Sequence, residues 1–430
     1  MRILLINPPN CGKSIPEERF GINSLKQIFR GEPLALQTLA GNLPGHEVRI
    51  VDLKAAPNSL DATLSAFTPE LVGFTSMTCE VNTVLALARQ IHSQYDAAIV
   101  VGGCHASCAP EDFNQPAIDW IAIGQSSISF RELVEALERD EEPNIAGIAA
   151  TNPGTKLHWQ ARAYTSADAG GASAPRYELV EQYRAEYYLA SLGIQMGLVS
   201  SAIGCPYTCN FCCIPPLSGG KYLPRSISAV IADIRTLEST PVIRLVDANS
   251  FGNPKLALEL AEALGASGVK RQYLVDVRSD TVVRHPELLQ RWKEVGLRAV
   301  VIGFEAIDTQ TLVGMNKKNN ADVNRAAIEI LHHLGITIVG DFIINPNYTE
   351  AQFDLLGDFV REQRIDLPMY SVLTPLPGTE LHRQLHAQIR IHDLDYYTLT
   401  NAVLPTHLEE EIFYQRYAAL LREGHRTAKV

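Results

Sequence analysis

The stretch Ser200–Pro216 reads SSAIGCPYTCNFCCIPP, and four of the chain's eight cysteines fall between Cys205 and Cys213. Cys205, Cys209 and Cys212 are spaced C-x3-C-x2-C, and Cys213 follows directly. The number of thiols decides the chemistry. A structural zinc site is closed by four protein ligands, and an electron-transfer iron–sulfur cluster by four cysteines. Three thiolates can hold three irons of a cubane [4Fe–4S] cluster and leave the fourth iron open for a small molecule. Cys213 does not complete the set, because adjacent residues rarely reach two corners of one cluster. A three-cysteine zinc site completed by a distant His is the alternative left open by the spacing.

Downstream of the loop, apolar runs alternate with helical spacing. MGLVSSAIG, PVIRLVDAN, QYLVDVRSD, RAVVIGFEA, TIVGDFIIN and MYSVLTPLP read as strands, with amphipathic helices between them. Six βα repeats predict a partial (β/α)6 barrel over residues 195–385, with chemistry at the carboxyl ends of its strands. The loop then sits at the end of the first barrel strand. Upstream, RILLINPP, EVRIVDL, LVGFTSMT, AAIVVGGC and DWIAIGQ also alternate with helical segments. Continuously apolar strands in such an alternation predict a Rossmann-like, doubly wound parallel sheet over residues 1–145. The Gly-, Ala-, Ser- and Pro-rich stretch 146–194 reads as a linker, and 386–430 as a helical extension. The fold class is therefore α/β, with two sheets and a short helical tail.

The motif CPYTCNFC, with Phe211 before its last cysteine as a candidate cofactor contact and six βα repeats after it, resembles the radical S-adenosylmethionine superfamily. The resemblance implies that Cys205, Cys209 and Cys212 hold a [4Fe–4S] cluster whose open iron chelates S-adenosylmethionine. It implies a 5′-deoxyadenosyl radical, a small-molecule substrate and an external one-electron reductant of flavodoxin or ferredoxin type. Asp247 and Asn249 in RLVDAN, Arg278 in DVRSD and Glu305 in VIGFEA stand at strand ends where this family contacts S-adenosylmethionine. Arg278 suits a carboxylate through its fork of donors. Ordinary barrel-end ion pairs are the other reading of all four.

NPP, S-x-T and GG-x-H-A in the first domain, with GMNKK and LTPLPGTELH later, resemble the subgroup carrying an N-terminal cobalamin-binding domain. The resemblance places Ser76 and Thr78 against the corrin side chains or nucleotide tail. It places Gly102 and Gly103 where backbone approaches the ring. Two departures stand out. There is no D-x-H-x-x-G, so no His replaces the lower axial ligand, and IAIGQSSISF keeps only Gly124 of a G-E-G-E-like turn. The reaction expected is methylation of an unactivated carbon in a biosynthetic intermediate. Radical cyclisation, ring contraction or another transfer is the second reading, and a non-catalytic cluster- or cobalamin-binding redox or sensor protein the third. An open iron argues against the third.

Cys11, Cys79, Cys104 and Cys108 are the cysteines outside the loop, all at expected strand ends. They could form a second soft-metal or thiol site, or be small buried residues. The formal net charge of −11 argues against general nucleic-acid binding. No apolar run is long enough to span a bilayer and no secretory signal is recognised, so the expected compartment is the cytoplasm.

Overall fold

The computed structural model describes residues 1–22, 29–170, 173–189 and 194–428. Its first strands are β1 (Arg2–Asn7), β2 (Phe29–Arg30), β3 (Glu47–Asp52), β4 (Leu71–Thr75), β5 (Ala98–Gly102), β6 (Trp120–Ala122) and β7 (Ile148–Ala150). All but β2 form one sheet in the order β3-β1-β4-β5-β6-β7. β1 and β3 to β6 are parallel, and β7 is antiparallel on β6. β1 is apolar along its length because both its faces are covered. Ile3 and Leu5 pack with Leu36, Phe130 and Leu133 of two helices. Leu4 and Ile6 pack with Leu64, Val84 and Ile91 of two others. The strand order is doubly wound, and its switch point lies between β1 and β4.

The second sheet continues with β8 (Tyr188–Leu189), β9 (Ile194–Val199), β12 (Val242–Leu245), β13 (Gln272–Val277), β14 (Leu297–Glu305), β15 (Thr337–Ile344) and β16 (Leu367–Val372). Between β9 and β12 lies a separate hairpin of β10 (Ala202–Gly204) and β11 (Tyr222–Pro224). The sheet order is β16-β15-β14-β13-β12-β9-β8-β2. The six strands β9 and β12 to β16 are all parallel, as the alternation predicts, and form a curled, open half-barrel.

Three details differ from the sequence reading. The run MGLVSSAIG is two strands, because Ser200 and Ser201 break it at the barrel rim. The stretch read as a linker contains β7, which closes the first sheet, and β8, which extends the second. β2, from the first domain's part of the chain, crosses over to pair with β8.

The extension folds back as the helix Glu410–Thr427. Tyr417 donates to the carbonyl of Tyr370 on β16 at 2.9 Å, and Phe413 meets Phe353 edge-on at 5.5 Å. Ahead of that helix, Asp393 and Asp395 bind Lys13 and Asn82 of the first domain. The tail therefore ties the two sheets together. Among the described residues, no helix is long and apolar enough to cross a membrane.

Candidate active site

The cysteine loop leaves the hairpin at Gly204. This residue has φ +80°, and a Cβ there would lie 2.0 Å from the carbonyl oxygen of Lys221. Only glycine makes the turn that sends the chain across the barrel mouth. The loop is pinned from several sides. The Asn210 amide donates to Met315 O at 3.1 Å and its carboxamide to Gly314 O at 2.8 Å. Asn316 donates to Thr208 O at 2.7 Å, and the Leu381 amide to Asn210 O at 2.9 Å. The Phe211 ring packs with Met315, Ile343, Leu373 and Leu381, so it anchors the loop.

Cys205, Cys209 and Cys212 are half-buried and near enough to feel one another's charge. Burial, reinforced by the neighbouring thiols, pushes Cys212 up to about 12. Burial also raises Cys205, opposed by the Tyr207 amide and the charges of Arg278 and Lys317. Cluster loading must therefore displace protons from the loop. Among the described residues, no three Cys, His, Asp or Glu side chains converge on a single metal ion. A cubane spreads its thiolates over separate irons.

Arg278 and Glu305 both reach the loop's surroundings. The Arg278 guanidinium stacks 3.7 Å over the Tyr207 ring and donates to Asp280 at 2.9 Å and to Lys317 O at 2.6 Å. Glu305 pairs with the Lys317 ammonium at 2.6 Å in a buried contact. Burial works to lower Lys317, but Glu305 and the nearby Cys209 outweigh it and hold its pKa above the usual value. The sequence reading does not single out Lys317, although it stands in the motif GMNKK.

Asp247 and Asn249 divide. The Asp247 carboxylate accepts from Ser200 Oγ (3.1 Å), Ser201 N (2.8 Å), Ser201 Oγ (2.6 Å) and Ala202 N (2.9 Å). It is a buried staple for the bend between β9 and β10, and each of these hydrogen bonds is made within the chain. Asn249 is the opposite case. It is 1% exposed, and neither its Oδ1 nor its Nδ2 has a protein partner. A buried carboxamide unsatisfied at both ends is costly unless a ligand completes it. This fits a polar cofactor such as S-adenosylmethionine at the end of β12.

Deeper in the barrel, Arg244 forms a bidentate pair with Asp276, with contacts of 2.9 and 3.1 Å from one nitrogen. Beside them Asp341 is pushed up to about 8, first by burial and then by the charges of Glu305 and Asp276. A carboxyl whose folded pKa is raised binds more protons folded than unfolded, so stability falls as pH rises from its unfolded value towards 8. Asp341→Asn removes that cost. The variant is expected to gain on the parent as pH rises, by on the order of several kcal/mol at pH 8.5, and to show no gain near pH 4, read as thermal midpoints across the range. A constant difference across pH would refute it.

One cavity of about 850 Å³ lies between the two sheets. Its wall takes in the carboxyl ends of β1, β4 and β5, the loop at Cys213 and Ile214, the rim at Ser200 and Val246, and the tail at Leu399. Gly102, Gly103 and Thr78 line it. Gly103 is demanded by the fold itself. Its φ is +99°, and a Cβ would lie 2.6 Å from Ser76 N. Gly102 is not so demanded, since a Cβ there would meet only ordinary contacts from 3.5 Å. Its bare backbone on the cavity wall fits a corrin lying close above it. Ser76 does not face the cavity. It is fully buried, with its hydroxyl donating to Met77 O at 3.0 Å. His105 is likewise turned away, between Thr78 at 3.2 Å and Asp112 at 2.8 Å.

The four outer cysteines line this cavity in two groups. The Cys11 thiol points to Cys79 O at 3.5 Å. The Cys108 thiol donates to the carbonyl of Cys213, the neighbour of the cluster motif, at 3.9 Å, and Cys104 lies near enough to both for their thiols to shift its pKa. The four do not converge on one metal ion, and Cys213 lies beside Cys104 and Cys108 across the domain boundary.

Comparison with known proteins agrees with this geometry. Residues 25–134 match the B12 binding domain family and residues 199–360 the Radical SAM superfamily. A half-barrel with three cysteines at its mouth defines the class, a radical S-adenosylmethionine protein. The chain belongs to the branch of that superfamily with an N-terminal B12-binding domain. The Hopanoid C-3 methylase of Methylococcus capsulatus is 28% identical over 401 residues, covering 90% of this chain and 75% of that protein. The Anaerobic magnesium-protoporphyrin IX monomethyl ester cyclase of Synechocystis is 24% identical over 371 residues, covering 80% and 68%. Among solved structures, the methyltransferase TsrM of Kitasatospora setae, with cobalamin and [4Fe-4S] cluster bound, shares the fold. Its TM-score is 0.71 at 18% identity, over 90% of this chain and 75% of TsrM.

Proposed function

We propose that this chain is a cobalamin-dependent radical S-adenosylmethionine methyltransferase acting on an unactivated carbon of a small biosynthetic intermediate. The observation that carries the reading is the shared cavity. The two flanks of the cluster loop, at Gly204 and at Cys213 and Ile214, and the open end of the first sheet face the same space, where two cofactors and a substrate could meet. When bound, the cluster supplies the electron that cleaves S-adenosylmethionine to a radical, and cobalamin supplies the methyl group.

The chain's own residues orient and enclose. Cys205, Cys209 and Cys212 would anchor the cluster. Asn249 would satisfy polar atoms of S-adenosylmethionine, and Arg278 and the Lys317–Glu305 pair set the charge around the loop. An external one-electron reductant of flavodoxin or ferredoxin type would supply the electron. The proposed setting is the cytoplasm, which keeps such thiols reduced. Cyclisation without methyl transfer is the second reading, favoured by the likeness to the cyclase.

The test is purification without oxygen followed by metal and corrin analysis. About four irons and one corrin per chain are expected, with 5′-deoxyadenosine released on reduction. About eight irons and no corrin would refute the cobalamin assignment. Mass analysis of the product separates a gain of CH2 from a loss of hydrogen, and so separates the two readings.

A further inference from the structure

Resting on the reading of the cavity as the reaction chamber, we infer that the substrate is an uncharged, hydrocarbon-rich molecule and that Leu399 is a specificity-determining residue touching it.

Two independent observations carry this. The first is the state of the charges. The charged residues on the described cavity wall are Glu32, Lys54, Glu80, Asp168 and Arg225. Each is paired within the chain. Lys54 meets Glu80 at 2.7 Å, Arg225 meets Asp233 at 2.7 Å, Glu32 meets Arg184 at 3.1 Å, and Asp168 meets Arg162 at 3.1 Å. A charged substrate would have to break one of these pairs or enter a mostly apolar chamber uncompensated, and desolvating an unpaired charge is expensive.

The second is the distribution of exposed apolar side chains. Six large ones are exposed among the described residues, and three of them line this cavity: Met77 at 52%, Val246 at 37% and Leu399 at 40%. They come from the first sheet, the barrel and the tail, so the fold gathers them from three directions. Met77 stands beside Thr78 on the wall given to the corrin, so Val246 and Leu399 are the two left to meet an apolar partner. Leu399 is the most telling. Its backbone has φ +64°, a region that bulky residues rarely adopt and that persists only where the surroundings impose it. The surroundings do impose it. The Val372 amide donates to Leu399 O at 2.7 Å, and Thr398, Thr400 and Asn401 on either side are buried in a hydrogen-bonded knot with Lys13 and Ser14. The tail thus holds an aliphatic side chain out into the chamber in a conformation that Asn or Gly would adopt more readily.

The probes are pyrene and pyrene-1-sulfonate, the same ring system without and with a negative charge. Each is titrated by fluorescence into the anaerobically loaded holoenzyme. Pyrene is expected to saturate one site at least tenfold more tightly than the sulfonate. Leu399→Asn suits the left-handed backbone, so its thermal midpoint should not fall, and pyrene affinity should drop about tenfold, the effect of withdrawing one aliphatic contact. Val246→Asn should act in the same direction, and Leu355→Asn, on an exposed helix outside the cavity, should not. Equal affinity for the two probes, or undiminished pyrene affinity in both cavity variants, would overturn the inference. If Leu399→Asn lowers the midpoint, Val246→Asn alone decides. 5′-deoxyadenosine release by the parent is measured on the same preparation. Release with failed pyrene discrimination leaves the enzyme standing and sinks the substrate class, whereas no release refutes the radical-enzyme reading itself.

Discussion

Cys209→Ala should abolish 5′-deoxyadenosine formation and strip the chain of most of its iron. Three of the loop's four thiols are assigned to the cubane, and removing one leaves two of its four irons without a protein ligand, open to solvent and competing thiols. The loss is expected without unfolding. Cys209 is half-buried, and its backbone carbonyl, which accepts from the Cys212 amide at 3.2 Å, survives the substitution. The flanking pins at Asn210, Thr208 and Tyr207 also survive. Cys213→Ala is the matched comparison. Its thiol faces Cys104, so iron content and cleavage should stay near those of the parent. Iron and sulfide per chain, with chromatography of 5′-deoxyadenosine after reduction, read both variants. Cleavage retained in Cys209→Ala, or iron lost equally in Cys213→Ala, would sink the assignment of the three ligands.

The cluster loop and both sheets were legible because their signals are local. Thiol spacing is a count along the chain, and a buried parallel strand such as RILLIN advertises itself by being apolar on both faces. What was not legible depends on which way a side chain turns and on partners far away in sequence. Asp247 and Asn249 are two residues apart and looked alike as polar strand-end residues. Asp247 is taken up by a bend 45 to 47 residues earlier, and Asn249 is left bare. Ser76, Met77 and Thr78 are consecutive, yet Ser76 is buried while the other two line the cavity. β2 is two residues long, too short for any periodicity, and finds its partner on the other sheet. Leu399 carries no motif, and its role comes from where the tail is tied.

The ties explain why cofactor chemistry and substrate chemistry can share one chamber. Glu32 from the first domain's part of the chain accepts from Leu198 N on β9 at 2.8 Å and from Arg184 at 3.1 Å, and Tyr187 donates to Asp52 at the end of β3 at 2.9 Å. These buried polar contacts fix the relation of the two sheets more sharply than apolar packing would, because each has one geometry that satisfies it. The tail adds Lys13 and Asn82 on Asp393 and Asp395 at the more exposed edge. The base of the cavity wall is thus held by buried contacts and its outer rim by solvent-screened ones, which contribute less.

The Lys317–Glu305 pair should show the second large effect. Lys317→Met leaves the Glu305 carboxylate buried, 8% exposed, with no cation against it, and is expected to cost about 3–5 kcal/mol. The site was shaped for the pair. Glu305 has φ +61° beside an irregularity in the β14–β15 register, and a Cβ at Gly303 would lie 2.3 Å from Glu305 Oε1 and 2.9 Å from Lys317 Nζ. Holding Glu305 in that conformation costs about 1–3 kcal/mol by itself, which the ion pair helps to offset. The double variant Lys317→Met with Glu305→Gln removes both charges and should recover much of the loss, because the dominant penalty is the unpaired charge. Denaturant unfolding of the parent, both single variants and the double variant closes the cycle. Coupling below about 1 kcal/mol, the range of an exposed pair, would refute the buried pair as the support of this strand end. Because Lys317 also lies within the electrostatic reach of Cys209, its loss should slow 5′-deoxyadenosine formation even where the fold is fully populated. The Glu305→Gln single variant, which keeps the ammonium, separates that effect from the loss of stability.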